Sequence, residues 1–111
     1  MKKIIQFIFF LGTAVLLTYC SSTSYLPTHQ NILDAQERWP EADSAYLYQG
    51  FETYKNKCSA CHYLHKPSQY TQGEWQKTLP EMREKAKLTE AEFKPLKTYL
   101  FALCQQDSTV N

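Results

Sequence analysis

The chain has 111 residues, which is room for one small domain and not for two of ordinary size. Apolar residues make up 43% and aromatics 14%, including eight Tyr and six Phe, and this excludes a disordered chain. The formal charge of +1 turns slightly negative once Lys2 and Lys3 leave with an export signal, so no nucleic-acid partner is implied.

Met1-Lys2-Lys3 is a short basic start, and the apolar run from Ile4 to Leu17 follows it. That run is shorter than the roughly 20 residues a membrane-spanning helix needs, so it predicts a cleavable export signal. Leu17-Thr18-Tyr19-Cys20, followed by Ser21 to Ser24, resembles a bacterial lipoprotein signal. The resemblance implies a signal over residues 1–19 and an acylated Cys20 that begins the mature chain. It also implies an extracytoplasmic, periplasmic location on a bacterial membrane. Residues 20–45 hold serines, Pro27 and Pro40 without a sustained period, and predict a flexible tether in which Trp39 packs against the domain.

The domain itself is expected over residues 46–106, with a tail at 107–111. From Asp43 to Lys57, Tyr46, Leu47, Gly50, Phe51 and Tyr54 recur at helical spacing. Thr71 through Glu74 reads as a capping box, and Trp75, Leu79, Met82 and Ala86 form the stripe of the helix it opens. Pro80 predicts a kink or break near Leu79, because a helix-interior Pro loses a hydrogen bond and clashes with the preceding turn. A second box, Thr89 through Glu92, opens a last helix with the apolar face Phe93, Leu96, Leu100 and Leu103, and Pro95 predicts distortion of its first turns. No alternating run supports a strand. The expected fold is all-α, three to four helices.

Cys58-Ser59-Ala60-Cys61-His62 has the spacing of c-type haem attachment, two thiols for thioethers and an adjacent imidazole for the iron. Three other readings compete. A disulfide leaves His62 without a role, a thioredoxin-type pair needs a βαβ surround, and a zinc site with His65 lacks a distant second ligand pair. With its flanks the motif resembles the small monohaem class I cytochromes c, over residues 46–104. Gly50, Phe51 and Tyr54 occupy the family's places before the first Cys. The resemblance implies a cytochrome c-like bundle around one covalent haem c, with the last helix crossing the first and Tyr99 lying against Gly50.

For the sixth iron ligand the mature chain has one thioether, Met82, far enough from His62 to wrap around a haem edge. His65 is too close to His62 to reach the opposite face, since three residues span about 10 Å at most. His29, and an open or exchangeable position, remain as alternatives. His/Met ligation favours electron transfer at a higher potential than bis-His. The resemblance suggests that the Pro67 carbonyl accepts the Nδ1 proton of His62, and Tyr70 and Trp75 are candidate donors to a propionate. Cys104 is expected as a buried thiol on the last helix. The function this supports is single-electron carriage without catalysis. Its expected partners are an upstream dehydrogenase or quinol-oxidising complex and a downstream terminal reductase or oxidase. The alternatives are a haem-based ligand sensor and an electron-accepting subunit of a dehydrogenase complex.

Overall fold

The structure is a computed structural model that describes residues 25–60 and 62–106. Among the described residues four α-helices run in chain order: α1 His29–Arg38, α2 Ser44–Thr53, α3 Gln72–Lys85 and α4 Glu90–Leu103. A π-helical turn, Tyr54–Cys58, extends α2, and a 3-10 turn, Pro67–Gln69, precedes α3. No strand occurs among the described residues; Thr71 and Gln105 form an isolated bridge. The fold is all-helical, as the sequence predicts, and no helix among the described residues is long and apolar enough to cross a membrane.

Helices α2 and α4 cross at Gly50. A Cβ built there would lie 2.2 Å from the Pro95 carbonyl oxygen and 2.6 Å from Tyr99 Cβ, so only glycine lets the two backbones come this close. Leu47, Leu96, Tyr99 and Leu100 bury almost all their surface around the crossing. Each contributes roughly 1.5 to 3 kcal/mol of burial relative to exposure. The carbonyl that Pro95 leaves without a helical donor is that of Ala91, and the Gln49 side chain of α2 donates to it at 3.5 Å. Helix α4 therefore runs on through Pro95 instead of distorting.

Pro80 does not break α3 either. It lies on the exposed face, as does Gln76, whose carbonyl loses its helical partner, and water can satisfy that group. Both predicted capping boxes form: Thr71 accepts from Glu74 N and Thr89 from Glu92 N, while each Glu accepts from its cap residue's N–H. Helix α3 ends in a Schellman turn, with Leu88 N–H donating to Arg83 O at 3.0 Å and Lys87 N–H to Glu84 O at 3.2 Å. Lys87 occupies the left-handed position, φ 53°, where glycine is usual.

Residues 25–45 are not the tether the sequence suggests. Thr28 and Asn31 form a capping box for α1, and Ala35 and Ala42 are buried in the core. Asn31 Nδ2 donates to Ala102 O at 3.4 Å, Arg38 to Gln72 at 2.5 Å, and the Trp39 ring meets Phe101 at 6.4 Å. These hydrogen bonds dock α1 together with Ile32, Ala35 and Trp39, which pack against the core. The signal, Cys20 and the tail from 107 lie outside the described residues.

Candidate functional site

The π-helical turn that continues α2 ends at Cys58, whose side chain is buried. Turns of this kind concentrate at functional positions because they re-aim the last residues of a helix. Cys61 lies outside the described residues. His62 Nδ1 sits 2.6 Å from the Tyr63 carbonyl oxygen. A carbonyl can only accept, so Nδ1 carries the proton and Nε2 is left with the lone pair that a metal requires.

Cys58 and His62 line one side of a cavity of about 480 Å³, together with His65 and Tyr70 from the loop that follows. One face of α3 forms the facing wall, through Trp75, Thr78, Met82 and Ala86. Lys57, Lys77 and Lys85 stand at the lining with Glu74 and Glu81, and the Lys85–Glu81 ion pair is 2.6 Å long. That pairing, with its hydrogen bond, holds the Glu81 carboxyl below the usual range. The volume falls within the range of about 300 to 1,000 Å³ typical of cofactor and ligand sites. A thiol, an imidazole with a free lone pair and a thioether on one cavity are donors that covalent haem uses, and the second thiol of the motif, Cys61, is adjacent to His62 in sequence. The residues therefore fit the group.

Not every expected role survives. The Pro67 carbonyl does not meet His62; it accepts from Trp75 Nε1 at 3.0 Å. The loop bends between His62 and Pro67 so that the nearer Tyr63 carbonyl serves the imidazole instead. Trp75 has a single N–H, and with that committed to Pro67 it cannot also serve a propionate. Its indole packs edge-on against Tyr70 at 5.3 Å and Tyr54 at 6.1 Å. Tyr70 lines the cavity, half-buried. His29 opens α1 at an exposed position and is not among the residues that line the cavity. His65 lines it beside His62, ring centroids 5.7 Å apart. Cys104 caps α4, buried, with Sγ 3.3 Å from the Phe101 carbonyl.

Sequence reasoning missed the polar members of the α3 wall. Their signal was available: Glu74, Lys77, Thr78, Glu81 and Lys85 recur at the same three-to-four spacing as Trp75 and Met82, on one helix face. It also missed two tyrosines behind the loop. Tyr25 donates to the Leu64 carbonyl at 2.9 Å and Tyr54 to the His65 carbonyl.

A helical shell that brings Cys58, His62 and the Met82 thioether to one cavity, in a chain whose sequence carries Cys-X-X-Cys-His, defines a c-type cytochrome. The family model for dihaem cytochrome c matches residues 54–110, a little over half of the chain, and the chain belongs to that family. It is accordingly a haem-based electron-transfer protein. No curated protein and no solved structure matches the chain. The family's description corrects the monohaem expectation, because it names two haems where the resemblance implied one. Within the 111 residues a single Cys-X-X-Cys-His occurs.

Proposed function

We propose that this chain attaches haem covalently through Cys58 and Cys61, binds its iron with His62 and Met82, and passes single electrons between extracytoplasmic partners. A second haem of the kind the family's description names would need ligands beyond Cys58, Cys61 and His62, the one Cys-X-X-Cys-His segment within these 111 residues. The observation that carries the reading is the convergence of Cys58, His62 and Met82 on one cavity. Haem bound there supplies a one-electron iron couple. The protein's part is to hold the imidazole through the Tyr63 carbonyl, supply a thioether from α3, and surround the ring with apolar wall from Trp75 and Ala86. Cys20 is the proposed lipid anchor on a bacterial membrane. The proposed partners are a dehydrogenase or quinol-oxidising complex upstream and a terminal reductase or oxidase downstream.

The deciding measurement is haem content per chain after denaturation, with the spectrum of the reduced protein. Covalent haem on the chain supports the proposal and none ends it; the number of haems per chain gives the stoichiometry. Met82→Ala should convert slow or undetectable carbon monoxide binding into rapid binding. Rapid binding already in the unaltered protein favours the ligand-sensor reading instead.

A further inference from the structure

The segment before α1 and the end of α2 both reach the loop that follows His62. Tyr25 Oη donates to the Leu64 carbonyl at 2.9 Å, and Tyr54 Oη donates to the next carbonyl, that of His65. Tyr25 is itself held, since Tyr99 Oη on α4 donates to its backbone carbonyl at 2.5 Å. The Tyr54 ring is fully buried and set between Tyr99 at 5.9 Å and Trp75 at 6.1 Å, so it cannot swing away from the loop. We infer that Tyr25 and Tyr54 are positioning residues for the iron-binding imidazole: two fixed hydroxyls hold consecutive carbonyls two and three residues beyond His62, and so fix the Tyr63 carbonyl on which His62 Nδ1 rests.

The chain of contacts is short. His62 Nδ1 bonds to Tyr63 O, and the next two carbonyls are tied to the core. A loop released at those two points can move its Tyr63 carbonyl, and the imidazole loses the partner that sets its tautomer, orientation and basicity. Burial pushes the Tyr54 hydroxyl well above its ordinary range, which keeps it protonated and able to donate at any neutral pH. A weaker Nδ1 bond makes Nε2 a poorer donor to ferric iron, so the reduction potential of a loosened protein rises.

The inference rests on the proposed role of His62, and the test keeps the two apart. Full-length holoprotein is prepared as the unaltered chain, Tyr25→Phe, Tyr54→Phe and, as a control, Tyr48→Phe, which alters an exposed tyrosine. Covalent haem on the unaltered chain is read first, and its absence sinks the proposed function. On the reduced holoproteins, proton exchange of the His62 ring N–H is followed by NMR beside the amides of α4, and the potential is measured by titration. Removing either hydroxyl should speed exchange of the ring N–H by roughly tenfold, the loss of about one net hydrogen bond, with α4 amides unchanged. The potential should move upward in both variants and stay put in the control. Haem present with unchanged ring exchange and potential overturns the inference. Uniformly faster exchange that includes α4 also overturns it, because the tyrosines would then be ordinary core. Should Tyr54→Phe bind no haem, the half-buried Tyr25 decides the matter alone.

Discussion

The face that α4 turns to α2 and the space between α3 and the loop after His62 solve the packing problem differently. Toward α2, protein atoms close the interface completely: glycine meets a backbone carbonyl and a tyrosine Cβ, and leucines fill the flanks. Between α3 and the loop after His62, the same small domain has a cavity of about 480 Å³ walled by Met82, Trp75 and His62. One side is specified by chain geometry and the other by a cofactor. A domain this size buries too little core to tolerate such a gap unless something rigid completes it.

The strongest way to break this contrast is to remove the cofactor side. The double substitution Cys58→Ser with Cys61→Ser should abolish covalent haem and most of the far-UV helical signal, whereas a native-like circular dichroism spectrum would show that the α2/α4 crossing holds the fold alone. The complementary attack is Gly50→Ala, which places a methyl against backbone on the closed side. Denaturant unfolding of that holoprotein should show a loss of roughly 3 kcal/mol, the upper end of ordinary overpacking. A cost near zero would mean the crossing is looser than its geometry.

A milder probe uses pH. Burial raises the Tyr54 and Tyr99 hydroxyls above their unfolded value, and so their stabilising contribution is whole below that value and is lost as pH rises past it. Stability should therefore fall above about pH 10, by up to roughly 1.4 kcal/mol per pH unit for each tyrosine. Tyr54→Phe should flatten that slope in denaturant titrations across the alkaline range. The smallest expected effect lies away from both sides, at the Schellman turn. Lys87→Gly relieves a left-handed backbone position and should add about 1 kcal/mol, seen as a higher unfolding midpoint with haem binding unchanged.

Local chemistry was legible in the sequence. The boxes at Thr71 and Thr89 are four-residue signals that complete themselves, and the apolar stripes at Tyr46 to Tyr54 and Phe93 to Leu103 announce helices. Helix α1 was not legible, because its box uses Asn31 in place of Glu and its one fully buried side chain is Ala35. The two prolines misled for a shared reason. Whether a helix survives an internal proline depends on who satisfies the released carbonyl, and for Pro95 that is Gln49, 46 positions earlier. The site divides in the same way. Cys58, His62 and Met82 follow from spacing and elimination, whereas the pairing of Trp75 with Pro67 and the tyrosine bonds to Leu64 and His65 depend on tertiary contacts that no local pattern encodes.

The bond from Tyr99 to the Tyr25 carbonyl also sets how long a leash the protein has. Cys20 stands five positions before Tyr25, a stretch that spans at most about 18 Å even fully drawn out. With acyl chains on Cys20, as proposed, the globule would ride close against the bilayer and could not roam far above it. Tyr63, 93% exposed on the loop that Tyr25 touches, would then travel near the lipid surface, and encounters would come from partners sliding in the same plane.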